Sequence, residues 1–325
     1  MVEKIYDAME MREAYCEALI VAAEKDERIT CIDCDLSLSM GTRNFAAKFP
    51  ERSFNMGIQE ANACCVAAGM ATTGLVPFVH SLAVFSTRRI CDQVFLSCSY
   101  AGLNVKIIGG DSGVAAAFNG GTHMAFEDIA IMRSIPEITI LEPTDTVMMK
   151  ALVPKIAETY GVFYVRYVRR KVKHVYDDGE TVEIGKAKVL RDGKDITLIA
   201  SGLTVAEAKE AAEILKNEGI EARVVDMFTI KPIDVACILE SAQKTGAILT
   251  VENHNVIGGL GSAVAEVLSE NCPTPLLRMG IQEEFGEVGT QDYLMERYHL
   301  TAAHIVRRVK EFLKKAKGKN EKHKR

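Results

Sequence analysis

The sequence predicts an α/β protein made of two doubly wound, mostly parallel-sheet domains. Strand-length runs of Val, Ile and Leu alternate with helix-length periodic segments over nearly the whole chain, the pattern of parallel sheets covered by helices. A length of 325 residues suits about two domains. A charged, turn-rich stretch near residues 169–195 interrupts the alternation and marks a boundary. The expected division is a first domain at 1–172, a linker at 173–195, a second domain at 196–315 and a charged tail at 316–325.

In the first domain, apolar residues at helical spacing (Ala14, Ala18, Leu19, Val21, Ala22) predict an amphipathic helix over 6–25. A strand over 29–36 ends near Asp35. A polar loop at 37–40, a short helix at 44–48 and a turn at Pro50 lead to a strand at 53–56. An Ala-rich buried helix follows over 59–72, then a strand at 75–80, a helix at 85–99 and a strand at 105–109. A Gly-rich loop over 109–122 precedes a helix at 126–134. The domain closes with a strand at 138–142, a helix at 145–160 and a strand at 163–168.

Turns at Asp178-Gly179 and Asp192-Gly193 predict a small hairpin inside the linker. Strands over 196–200, 222–226, 247–251 and 276–279 then alternate with helices over 205–217, 235–245, 261–269 and 301–313. The final KKAKGKNEKHKR run reads as a frayed, solvated end.

Composition narrows the function. Hydrophobic residues make up 48% and charged residues 26%, with a net charge of −5, which gives no basic balance to attract nucleic acid. No apolar run reaches membrane-spanning length, and the charged N-terminus is unlike a signal peptide. A cytoplasmic protein is expected. Nine cysteines lie scattered in apolar surroundings, as free thiols in a reducing compartment do. Cys31 and Cys34 form a lone C-x-x-C with no second pair, and read as strand residues.

One carboxylate stands out. Glu60 is the only charged residue between Phe54 and Thr87, and a carboxylate in so apolar a window needs a proton or a specific partner. Such a group in a cleft is a mark of proton-transfer chemistry. A glutamate in the first turn of a helix is also favoured by the helix dipole alone.

The runs GIQEANACCVAAGMA, PFVHSLAVFSTRRICDQV and GGTHMAFEDIAIMRSIP resemble the pyrimidine-binding domain of the transketolase family, and VENHNVIGGLG resembles its C-terminal domain. The resemblance runs from about Arg12 to Leu313. It implies thiamine diphosphate as cofactor, with Glu60 bonding N1′ of the aminopyrimidine. An acid there favours the tautomer whose 4′-imino group deprotonates the cofactor. Phe85 matches an aromatic packed on that ring, with Leu82 where the family has a second aromatic. His123 matches a histidine near the 4′-amino group, and Asp35 matches an Asp at a strand end. Arg169, Arg12 and Ser39 match contacts to the phosphate of a sugar phosphate.

Magnesium is not assigned to this chain. Gly110-Asp111-Ser112-Gly113 only superficially resembles the G-D-G of the family's metal motif, and no Asn-Asn pair occurs to complete oxygen coordination. The resemblance therefore implies the C-terminal subunit of a split transketolase. An N-terminal subunit carrying G-D-G would hold the diphosphate and Mg2+, and the expected assembly is an α2β2 heterotetramer.

Two departures concern the substrate. Asn119 replaces an Asp that senses the donor's C2 hydroxyl, and Gly110 replaces a histidine, leaving space that His80 could refill. The expected reaction moves a two-carbon ketol unit between sugar phosphates, with an unusual sugar in view. Other readings are a 2-oxo acid dehydrogenase E1 β-like subunit, a deoxyxylulose phosphate synthase-like subunit, and a non-catalytic regulatory subunit. Gly258, Gly259 and Gly261 look like a phosphate loop, but Val264 breaks G-x-G-x-x-G, so a tight strand-to-helix turn is expected there, with His254 a minor candidate.

Overall fold

The computed structural model describes residues 6–322, with side chains described through Lys315. In the first half, β1 (Ile29–Asp33), β2 (Ser53–Asn55), β3 (Val76–Leu82), β4 (Lys106–Gly110), β5 (Thr139–Leu141) and β6 (Phe163–Tyr167) run parallel. Helices α1 (Met11–Lys25), α2 (Ser37–Met40), α3 (Arg43–Lys48), α4 (Glu60–Thr72), α5 (Cys91–Gln93), α6 (Asp128–Arg133) and α7 (Thr146–Glu158) connect and cover them. Strands β1, β3, β4 and β6 are buried along their whole length, as parallel strands sandwiched by helices must be.

Caps fix the helix starts. Glu10 and Glu13 form a reciprocal capping box at α1, and Asp145 accepts from the Met148 amide at 2.9 Å to start α7.

The second half holds β7 (Lys188–Arg191), β8 (Ile196–Ala200), β9 (Ala222–Asp226), β10 (Thr229–Lys231), β11 (Ile248–Asn255) and β12 (Leu276–Ile281), with α8 (Thr204–Asn217), α9 (Val235–Thr245), α10 (Leu260–Asn271), α11 (Gln291–Arg297) and α12 (Ala302–Lys322). Its five-stranded sheet is ordered β12-β11-β8-β9-β7, and the first sheet is ordered β10-β5-β6-β4-β3-β1-β2.

Several sequence expectations change. The linker forms no hairpin: β7 pairs antiparallel with β9 and blunts the edge of the second sheet. Strand β10, not foreseen, crosses over to pair antiparallel with β5, with Thr229 opposite Leu141. The expected polar loop at 37–40 is the one-turn helix α2, closed by Gly41 at φ +80; a Cβ there would lie 2.9 Å from the Arg12 carbonyl oxygen. The expected helix over 85–99 begins late. The Phe85 and Ser86 amides both donate to the Leu82 carbonyl at 2.8 Å, and the Thr87 hydroxyl donates to the Ala83 carbonyl at 2.8 Å. These local bonds turn the chain before α5 and a π-helical turn at Val94–Tyr100. Helix α12 continues to Lys322, so the tail expected to fray is helical in its backbone; residues 323–325 lie outside the described residues.

The two halves join through buried polar groups. Arg166 is fully buried and donates to Asp128 at 2.6 Å, Glu142 at 2.5 Å and the Asn253 carbonyl at 3.1 Å. Asn253 in turn accepts from the Val114 amide at 3.0 Å and donates to the Ser112 carbonyl at 2.9 Å. This joint holds the Gly-rich loop of the first domain against β11 of the second.

Candidate active site

The strand ends of the first sheet carry the candidate residues. β3 ends at Leu82 beside Gly110 at the end of β4, and Gly110 lies beside Tyr167 at the end of β6. In open α/β sheets this carboxyl edge is where ligands bind.

Glu60 opens α4 and is 4% exposed. It is not left unpaired. Arg89 Nη1 donates to both carboxylate oxygens at 3.0 Å, and the Ser81 hydroxyl donates to Oε1 at 3.1 Å. The same guanidinium lies over the Phe85 ring, 3.7 Å from its centroid, a cation–π contact. His123 meets Phe85 edge-on at 5.2 Å and bonds the Thr122 hydroxyl through Nδ1. Leu82 is buried beneath this group and accepts the Phe85 amide. Four positions selected from sequence thus share one end of β3. Arg89 and Ser81 were missed. The available signal was the end of the charge-free window at Arg88-Arg89, which supplies the first cations that could neutralise Glu60.

A second group forms across β1, β4 and β6. Arg12 Nη1 and Arg169 Nη1 both donate to the Ser39 carbonyl, at 3.3 and 3.2 Å. Arg12 Nε is also paired with Glu10 at 2.6 Å, and Arg169 is paired with Asp111. Burial works to lower the guanidinium pKa of Arg169, and the Asp111 bond outweighs it, so the pKa is raised. Arg166 is committed to the interdomain joint, whereas Arg169 lies at the strand end with Ser39 and Asp111.

Asp111 carries φ +59 and is 1% exposed, and its Oδ1 has no hydrogen-bond partner. Its other oxygen, Oδ2, is paired with Arg169.

Other candidates fall elsewhere. His80 is fully buried; its Nδ1 lies 3.0 Å from the Ile32 carbonyl and its Nε2 2.6 Å from the Tyr15 hydroxyl. The carbonyl can only accept, so Nδ1 carries the proton and Nε2 accepts from Tyr15. Burial lowers its pKa. No nitrogen is left for a sugar, so His80 does not refill the space beside Gly110. Met40 and Arg169 do: a Cβ on Gly110 would lie 2.7 Å from Met40 Sδ and 3.2 Å from Arg169 Cγ.

Asp35 is exposed at φ +61 just past β1, and its amide is held by Asn55. Asn119 is exposed at the end of the 3-10 segment Gly113–Asn119. The glycines before α10 do not cradle a phosphate. The Leu260 and Gly261 amides donate to the buried Glu252 carboxylate at 2.7 and 2.9 Å, and burial pushes that carboxyl up to about 8. His254 is fully buried beside it, and its pKa is pushed down to about 4 by burial. Among the described residues no helix is long and apolar enough to cross a membrane.

Two mostly parallel-sheet domains joined by a buried ion pair, with polar and charged side chains gathered at the strand ends of the first, define a two-domain α/β protein of the kind that binds ligands at strand ends. A model of the transketolase pyrimidine-binding domain matches residues 7–174, and one of the transketolase C-terminal domain matches residues 185–305. The chain therefore belongs to the transketolase family.

A 6-deoxy-6-sulfo-D-fructose transketolase subunit of Clostridium sp. (strain MSTE9) is 48% identical over 93% of this chain and 94% of its own. An apulose-4-phosphate transketolase subunit of Phocaeicola vulgatus is 39% identical over 94% of this chain and 97% of its own. A solved split gene transketolase, an inactive β4 tetramer, superposes with a TM-score of 0.87 at 44% identity, covering 95% of this chain and 99% of that one.

Proposed function

We propose that this chain is the C-terminal subunit of a split, thiamine diphosphate-dependent transketolase that moves a two-carbon ketol unit from a ketose with a terminal oxyanion to an aldose. The observation that carries this reading is the grouping of Glu60, Phe85 and His123 at one strand end, with Arg12 and Arg169 converging on Ser39 nearby. Glu60 is a buried carboxylate whose guanidinium partner lies over the Phe85 ring.

The residues fit the cofactor's aminopyrimidine. The flat guanidinium of Arg89 lies on Phe85 and bonds both Glu60 oxygens, so the seat has room for a planar group against that face and beside that carboxyl. When bound, the cofactor supplies a carbon that can take and release a carbonyl-derived two-carbon unit. Glu60 would hold a proton toward N1′, Phe85 would carry the ring, and His123 would lie by the exocyclic amino group. Leu82 would line the floor, and Asp35, exposed past β1, would face the cofactor from its own strand end.

Diphosphate and Mg2+ fall to an N-terminal subunit with the G-D-G motif, in an α2β2 assembly. The exposed side of α4 (Ala61, Cys65, Gly69) and the nearby Phe95, Leu96 and Tyr100 offer an apolar face for that subunit. The inactivity of the related β4 tetramer supports the need for it. The nine free cysteines suit the cytoplasm.

A sulfonated ketose suits the anion subsite better than a phosphorylated one. Arg12 and Arg169 are each already paired with a carboxylate, so the group is close to neutral. A sulfonate carries one negative charge, whereas a phosphate monoester carries about two near pH 7. The relative acting on 6-deoxy-6-sulfo-D-fructose supports the same substrate class.

The test is to assay the reconstituted complex with 6-deoxy-6-sulfo-D-fructose and with fructose 6-phosphate under the same conditions. A higher kcat/KM for the sulfonate supports this substrate, and a higher value for the phosphate sinks it.

A further inference from the structure

We infer that Arg89 closes the aminopyrimidine seat in the cofactor-free protein and must leave it for the cofactor to bind. This rests on the cofactor reading above. Arg89 uses one nitrogen to engage both oxygens of Glu60, and its flat guanidinium covers Phe85 at 3.7 Å. A pyrimidine ring needs the same two features, one carboxylate oxygen and the aromatic face. Both occupants cannot be seated together.

The pair is asymmetric in exposure. The side chain of Glu60 is 5% exposed and that of Arg89 is 45% exposed. Glu60 is fixed at the start of α4, and leaving it buried without a partner is costly. Arg89 sits on the turn before α5 and can swing its long side chain into solvent. Arg89 thus solves a problem of the empty protein: it satisfies a carboxylate placed for a ligand that has not yet arrived. Its neighbour Arg88 does not compete for this position, because it is tied to the Thr122 carbonyl at 3.2 Å and to Glu127 at 2.9 Å.

This role separates stability from affinity. Arg89→Met removes the guanidinium and keeps an apolar stem. The cofactor-free chain should lose stability, with Tm lower by about 3–8 °C, because Glu60 loses its partner. Thiamine diphosphate should bind more tightly to the complex, because no ion pair has to open. The expected gain is about tenfold in Kd, or ~1.4 kcal/mol. A merely structural arginine would lower both.

Two measurements decide the matter. Thermal unfolding of the full chain alone compares wild type, Arg89→Met, Glu60→Gln and the double variant. The loss caused by Arg89→Met should shrink in the Glu60→Gln background; an equal loss in both backgrounds overturns the pair. Calorimetric titration of thiamine diphosphate with Mg2+ into the complex then compares wild type and Arg89→Met. Tighter binding by the variant is the expected result, and unchanged or weaker binding overturns the inference while leaving the cofactor reading intact. Binding to neither complex overturns both. Should Arg89→Met not fold, Arg89→Lys keeps the charge, loses the planar stack and should give a smaller gain in affinity, with no gain counting against the inference.

Discussion

Arg12, at the start of α1, and Arg169, just beyond β6, donate to the same backbone acceptor, the carbonyl oxygen of Ser39, at 3.3 and 3.2 Å. One carbonyl thereby brings two guanidiniums together at the carboxyl edge of the sheet, each balanced by its own carboxylate.

On the function proposed above, Arg169 would anchor the substrate's anionic end. Arg169→Lys keeps the charge but loses the planar fork. It should lower kcat/KM for the oxyanionic ketose by about 10–100-fold, mostly through KM. Steady-state kinetics over a range of ketose concentrations checks this; an unchanged KM contradicts it.

Gly110 stands where the resemblance places a histidine, and the space beside it is filled. Any side chain there meets Met40 and Arg169, so Gly110→His should displace Arg169 and raise KM by about tenfold or more. Adding Met40→Ala frees the space and should recover most of that loss. Equal damage in the single and double variants would show that Met40 is not the obstacle.

The interdomain joint should be costly to break from one side. Arg166→Met strands Asp128 and Glu142, whose side chains are 0% and 2% exposed, and should destabilise by about 3–5 kcal/mol. Adding Asp128→Asn and Glu142→Gln should restore a large part of it. Urea unfolding of the three forms measures both; a single-variant loss under ~1 kcal/mol would mean the joint is not held by Arg166.

Asp226 gives the chain a pH signature. It is fully buried, and burial pushes its carboxyl up to about 7 from an ordinary 3.8, against the lowering effect of the Thr144 and Tyr176 hydroxyls. The unpartnered Oδ1 is the natural place for the proton. With the folded pKa above the unfolded one, the folded state holds more protons between about pH 4 and 7, so stability falls as pH rises through that window and levels beyond it. Asp226→Asn should flatten this slope and be more stable than wild type at pH 8 by about 2–4 kcal/mol. Chemical denaturation at pH 4.5, 6 and 8 reads the difference, and parallel curves for the two proteins would contradict it.

Much of this is legible in the sequence, for identifiable reasons. The strands at 196–200 and 222–226 fall where the sequence places them, because buried parallel strands are short continuous apolar runs. Glu60 stands out because a lone charge in an apolar window has few cheap explanations. What escapes depends on long-range geometry. β10 is three residues long and pairs with a strand of the other domain, a relation with no local signal. His80 looks available because its sequence neighbours are strand residues; only the fold brings Tyr15 and Ile32 to its two nitrogens. Arg89 is hidden because the sequence does not say which of two adjacent arginines turns inward.

The most direct test of the account is a co-purification of the chain with an N-terminal subunit carrying G-D-G and the Asn pair, followed by a transfer assay. The mixture would contain thiamine diphosphate, Mg2+, 6-deoxy-6-sulfo-D-fructose and an aldose acceptor. Loss of two carbons from the donor would leave a four-carbon sulfonated aldose, detectable by mass spectrometry. This product should form only with both subunits and the cofactor, and Glu60→Gln should lower its rate by about 10²–10⁴-fold. Turnover by the Glu60→Gln complex at the wild-type rate, or no turnover with any oxyanionic ketose, would contradict it.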